Sequence, residues 1–206
     1  MASGRLDVGL GAGWHAPEFT ENGIRFPSTH ERLAAVERTV HAVRSTLRAT
    51  TPPIWLGGKR SGILAVAGRV ADGWNLAWDP TPATYLQRSE LLERAAIEVG
   101  RDGSQISRSI GLTTLLGTDE EDLLLRWIKL RRWAPGAHLD KVRFDTWRQR
   151  GLIGAPDEIR HRISMWHDLG VTHIVCAFGI PFGMCDDEQL ELFAATVLHD
   201  SDPPTM

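Results

Sequence analysis

Five times along this chain a short apolar run stops at glycine or a turn and is followed by a helical pattern. That alternation constrains the fold more than any other feature. A strand apolar along its whole length must be buried on both faces, and a helix between successive strands returns the chain parallel to itself. The runs are Leu6 to Leu10, Ile54 to Leu56, Trp74 to Leu76, Ile106 to Leu116 and Thr172 to Phe178. The first helix opens on the capping-box pair Ser28 and Glu31 and presents Leu33, Val36, Val40, Val43 and Leu47 on one face. A small-residue helix over 61–70 comes next. A helix capped by Thr81, with Pro82 at its first position, then buries Tyr85, Ser89, Leu92, Ala96 and Val99 and stops at Gly100. Thr118 and Glu121 cap a helix that runs through Trp127. The polar stretch 134–154 reads as an irregular excursion. Pro156 opens a helix with Ile159, Ile163 and Trp166 inward, stopped at Gly170, and Asp186 begins the last, with Leu190, Phe193, Ala194 and Val197 inward. The reading is one α/β domain over residues 1–200, with a disordered tail over 201–206.

Composition narrows the functional classes. The 206 residues carry a net charge of −3 and a pI near 6.2, against the basic surplus expected of a nucleic-acid or anionic-membrane binder. No run approaches the length of a membrane-spanning helix, and the first residues carry no apolar signal core. The two cysteines, Cys176 and Cys185, form no CxxC pair, so a reducing cytoplasm is expected, with neither a disulfide scaffold nor a zinc ribbon. Cys176 reads as a buried, inert thiol. The histidines are scattered, with His161 and His167 on different helix faces, and no metal site is expected.

Two glycine turns carry the chemistry. Gly11-Ala12-Gly13-Trp14-His15-Ala16 fits a dinucleotide fingerprint, G-x-G-x-x-A. That fingerprint needs an acidic residue at the end of a second strand about 20 residues on. Here Glu31 to Glu37 are helical and Pro17 lies just past the turn, which argues against it. The second turn, Gly57-Gly58-Lys59-Arg60-Ser61-Gly62, joins a strand to a helix. Free backbone N–H groups, a helix dipole and two cations would hold an anion there. A tight turn with solvated charges is the plainer reading, and both stand on the residues alone. Trp14, Trp55, Trp74 and Trp78 gather at strand ends, where they either stack on a planar ligand or fill core space. His15 follows a strand end, the position at which barrel active sites form.

In combination these motifs resemble the bacterial luciferase-like monooxygenase family. The resemblance rests on Gly4-Arg5-Leu6-Asp7-Val8-Gly9-Leu10-Gly11-Ala12-Gly13-Trp14-His15, with Glu18, Gly23 and Phe26-Pro27. It continues through Pro52-Pro53-Ile54-Trp55-Leu56-Gly57-Gly58, then Ala67, Arg69 and Ala71-Asp72-Gly73-Trp74-Asn75. Gly154 to Ile159, Leu169 to His173 and Glu191 to Ala194 complete it, and the branch it looks most like uses coenzyme F420. The resemblance implies a (β/α)8 TIM barrel holding a deazaflavin or flavin at the C-terminal strand ends. It implies hydride transfer between F420 and a small organic substrate; the alternatives are an FMN-dependent monooxygenase and a non-catalytic partial barrel. Carried over by position, Ala12, Gly13 and Trp14 would lie along the cofactor ring, and Gly57, Gly58, Arg60 and Ser61 would hold its phosphate. His15 and Trp78 would face the substrate, and no catalytic residue is assigned. Trp14 stands where many members place a catalytic acid, a departure from the sugar-phosphate dehydrogenase pattern. Family members carry about three β/α units before the strand at Leu6, so the expectation is an incomplete barrel of about five units, strands four to eight. Five parallel strands do not close an eight-stranded barrel, and the open edges predict a homo-oligomer or a completing partner chain.

Overall fold

The computed structural model describes residues 6–48, 51–133, 139–178 and 187–198. The chain divides into two compact units, Met1–Ala77 with Ala83–Ser109, and Trp78–Pro82 with Ile110–Met206.

In the first unit, β1 (Val8–Leu10), β2 (Ile54–Gly57) and β3 (Gly73–Leu76) are parallel neighbours, in the register Leu10 beside Leu56 and Leu56 beside Trp74. Around them run α1 (Ala16–Glu21), α2 (Thr29–Leu47), α3 (Ser61–Val70) and α4 (Pro82–Ile97). Alternation along β2 explains the layering. Ile54 and Leu56 are fully buried on one face, which Trp74 continues as it stacks on Tyr85 of α4 at 6.1 Å. Trp55 lies on the other face, against Gly73, where a Cβ would come within 2.3 Å of the indole. On α3, Gly68 packs so tightly on α4 that a Cβ would sit 2.5 Å from the Leu92 carbonyl. The α2 capping box forms as read: the Ser28 hydroxyl accepts from the Glu31 N–H, and the Ser28 N–H donates to the Glu31 carboxylate at 2.7 Å. Arg25 closes on that carboxylate at 2.7 Å, and these bonds hold the Glu31 pKa down at about 2.

β4 (Ser107–Leu116) gives its first three residues to the first unit and the rest to the second. In the second unit it pairs in parallel with β5 (Leu152–Gly154), Leu116 beside Gly154, and also pairs with β6 (His173–Phe178). Helices α5 (Glu120–Trp133), α6 (Phe144–Arg148), α7 (Pro156–Asp168) and α8 (Asp187–Phe193), with a π-helical turn at Ala194–Leu198, complete it. Its core is Leu115, Leu123, Trp127 and Ile153, with Phe144 and Trp147 packed on Trp127. Gln189 of α8 is buried, and its amide acts as a substitute strand. Its Oε1 accepts from the Leu116 N–H at 2.7 Å, and its Nε2 donates to the Leu116 carbonyl at 2.9 Å.

Several expectations need correction. There are six strands among the described residues where five were expected, because β5 lies inside the stretch read as irregular. Two apolar residues between Gly151 and Gly154 give too little pattern to detect. Within 139–154 the structure also places α6, and α1 lies in a stretch that carried no helical pattern. Helix α5 continues to Trp133, and its cap is Asp119, whose carboxylate accepts from the Asp122 N–H at 2.9 Å. Val99, Leu190 and Leu47 are exposed: α4 ends before Val99, and Gln189 takes the inward place on α8. Cys185, Asp186 and the tail 201–206 lie outside the described residues.

Ser28→Ala removes the hydroxyl half of the box. It is expected to cost about 1 kcal/mol in urea unfolding and to raise the Glu31 titration midpoint seen by NMR. A lowered carboxylate pKa stabilises above the ordinary value of 4.5, and that contribution is lost as pH falls from there through about 2. Gln189→Leu strands two buried backbone groups of Leu116 and is expected to cost about 3 kcal/mol in the same assay.

Candidate functional site

The turn after β2 is built on one glycine. The Gly58 N–H donates to the Asn75 carbonyl at 3.1 Å, and the Gly58 carbonyl accepts from the Trp74 indole at 2.8 Å. The Gly58 φ is +150°, and a Cβ there would meet Ile63 Cγ2 at 2.6 Å. Held at both backbone groups, the chain turns straight into α3. Arg60 is the N-cap in extended conformation, and its carbonyl accepts from the N–H groups of Ile63 and Leu64 at 3.1 and 3.2 Å. No side chain caps this end, so the N–H groups of Arg60, Ser61 and Gly62 have no hydrogen-bond partner among the described residues. The first turn of α3 holds no acidic residue, and Lys59, Arg60 and Ser61 are exposed. Neither cation enters an ion pair among the described residues. The helix end adds about half a positive charge. Free donors, cations and a positive dipole meet at one exposed spot, an arrangement chemically able to hold an anion.

The turn after β1 leaves the same end of the neighbouring strand, since Leu10 and Leu56 are register partners. Gly13 turns at φ +68°. Trp14 is 83% exposed and meets the His15 ring edge-on at 4.9 Å. His15 is the N-cap of α1 with no side-chain capping bond. Ala12 borders a cleft of about 560 Å³ that Phe19, Pro27 and Arg32 also line. Thus Ala12, Gly13, Trp14 and His15 follow one strand, and Gly57, Gly58, Arg60 and Ser61 follow the next, at a shared edge of the sheet.

Trp78 belongs to the second unit and is 48% exposed. Beside it Asp79 adopts φ +49°, a region costly for a residue with a Cβ. Three bonds hold it there. Its carboxylate accepts from the Thr113 N–H and hydroxyl, each at 2.7 Å, and its own N–H donates to the Gly111 carbonyl at 2.9 Å.

Sequence reasoning passed over Asp79, and positive φ at a non-glycine residue leaves no signal in the sequence. For Trp74 it left two readings, a stacking ring or core filling, and the second holds. The structure buries Trp74 completely, so its part in the site is the bond to Gly58. Asn75, register partner of Gly57, was not singled out; its Oδ1 is buried without a hydrogen-bond partner among the described residues. Cys176 is half-buried, and desolvation pushes its thiol pKa up, so it stays protonated near neutrality. Among the described residues no three His, Cys, Asp or Glu side chains are placed to hold a metal, and no helix is long and apolar enough to cross a membrane.

Parallel strands alternating with helices, and glycine turns at the C-terminal strand ends, define an α/β protein of the (β/α)8-barrel type. Residues 1–173 match the family model of the luciferase-like monooxygenases, and the chain belongs to that family. The fold is similar to that of an F420-dependent secondary alcohol dehydrogenase bound to an F420-acetone adduct. The TM-score is 0.72 at 17% identity, over 97% of this chain and 71% of that one. By sequence it is 25% identical to an F420-dependent glucose-6-phosphate dehydrogenase of Kineococcus radiotolerans, over 96% of this chain and 69% of that protein. It is 30% identical to a phthiodiolone/phenolphthiodiolone dimycocerosates ketoreductase of Mycobacterium sp. over 37% of this chain, a match spanning only 20% of that relative's length.

Asp79→Ala keeps the strained backbone and loses both carboxylate bonds, with an expected loss of about 2–3 kcal/mol. Asp79→Gly loses the same bonds and relieves the strain, so it should be less destabilised by about 1 kcal/mol. Urea unfolding of the two variants checks the order.

Proposed function

We propose that the chain is a luciferase-like oxidoreductase that binds coenzyme F420 through the turn Gly57 to Ser61 and transfers a hydride between it and a small organic substrate. The observation that carries this reading is the uncapped start of α3, with three free N–H groups, Lys59 and Arg60 beside a backbone position that tolerates no side chain. These residues fit a phosphate: the N–H groups of Arg60, Ser61 and Gly62 point donors at it, and the two side chains supply charge. F420 supplies hydride chemistry when bound. The exposed Trp14 ring offers a stacking face, and Ala12 and Gly13 keep the approach to it free of bulk. His15 stands next to that ring and is the proposed substrate contact. One curated relative and two solved structures carry F420 in their names, which supports this cofactor over FMN. FMN with oxygen, the chemistry behind the family's name, would use the same phosphate cradle. Val175 of β6, 46% exposed, supports a second copy or a partner chain as its cover.

Ser61→Asp separates binding from folding. An acidic residue in the first turn favours a helix, so stability should hold or rise by a few tenths of a kcal/mol. The same carboxylate stands against the phosphate, so F420 affinity should fall at least tenfold in a fluorescence titration. Unchanged affinity would remove the assignment. Tighter binding of FMN than of F420 by the unaltered chain would turn the reading to the monooxygenase, and binding of neither would favour the non-catalytic one.

A further inference from the structure

The opposite end of the same strands carries a second cationic cleft, of about 470 Å³, lined by Arg44, Arg48, Thr51, Pro53, Asp72 and Arg101. All of these belong to the first unit. The cleft lies at the N-terminal end of β2 and β3, so about 10 Å of β2 separates it from the Gly58 turn. Three guanidiniums share the cleft with one carboxylate, and that carboxylate is already engaged. Asp72 Oδ1 accepts from Arg44 at 2.6 Å, and Asp72 Oδ2 accepts from the Ile54 N–H at 2.9 Å. Arg44 spends one nitrogen on this bond. Arg101 turns two nitrogens to the carbonyls of Gly68 and Ala71 at the end of α3, at 2.8 and 2.7 Å. The Arg48 side chain has no hydrogen bond or ion pair among the described residues and is exposed.

Even after half a negative charge is allowed for the α3 C-terminus, the cleft keeps a surplus of about one and a half positive charges. Crowding is visible in the titration of Arg101, whose pKa is pushed down by burial and by the charge of Arg44. A purely structural cluster would balance its charges. This one leaves donors of Arg44 and all of Arg48 pointing at open space, and a guanidinium fork matches the oxygens of a phosphate. We propose that this cleft is a second anion site, distinct from the cofactor turn, that takes a compact dianion: inorganic phosphate or the phosphate group of a small monoester. Arg48 and Arg44 grip the anion, and Asp72 holds Arg44 in place.

The test uses the full chain carrying Lys59→Glu and Arg60→Glu, so that the turn after β2 no longer attracts anions. Inorganic phosphate and glycerol 2-phosphate are titrated calorimetrically at low ionic strength, with chloride at matched ionic strength as control. One anion per chain is expected from phosphate, from the monoester or from both, and the stronger heat identifies the source. Arg48→Glu in that background should weaken binding at least tenfold and leave the melting temperature without phosphate unchanged, since only the Arg48 backbone, which the substitution keeps, makes hydrogen bonds. Arg48→Ala gives the same direction should the charge reversal fail to fold. No saturable heat in the double variant, equal response to chloride, or unaltered affinity on losing Arg48 would each overturn the proposal. F420 affinity of the unaltered chain is read separately, so failure here leaves the cofactor reading standing, and the reverse also holds.

Discussion

The bond from the Trp74 indole to the Gly58 carbonyl is the interaction on which the turn after β2 depends. Trp74 is fully buried and stacked on Tyr85, so its N–H donates from a fixed place. Together with the Asn75 carbonyl it holds both backbone groups of Gly58. The chain therefore leaves β2 in one direction, and α3 starts with its first N–H groups facing outward. An anion site made this way needs no induced fit: its donors are oriented by the core before a ligand arrives.

The same economy recurs through the molecule. The positive φ of Asp79 is held by three bonds into Gly111 and Thr113. Gln189 ties α8 to the end of β4 through one amide. At the far end of β2, Asp72 links Arg44 to the Ile54 N–H. At Leu116 and Ile54 a strand terminus is finished by a side chain from elsewhere, and at Thr113 an interior N–H of β4 is, because buried backbone groups must be paired.

Much of this was legible in the sequence where a pattern repeats. The alternation of strand and helix, the Ser28–Glu31 box, the small-residue helix α3, the buried face of α7, and both glycine turns are periodic or stereochemically marked. What escaped was short or non-local. β5 has three residues and no period. Asp119 displaced Thr118 as a cap because the two polar residues are adjacent and equally suited. Trp74 was visible as a tryptophan at a strand, yet only the register of β2 against β3 decides that it faces Tyr85 and not a ligand. Asp79 pairs with a strand 34 residues away, beyond any local rule.

The account stands on the amides that open α3. The most direct measurement is a ¹H–¹⁵N NMR titration of the chain with F420, following Arg60, Ser61 and Gly62. Specific, saturable downfield shifts of these three amide protons, at the concentration at which F420 fluorescence reports binding, are predicted. F420 binding with those three signals unmoved would contradict it.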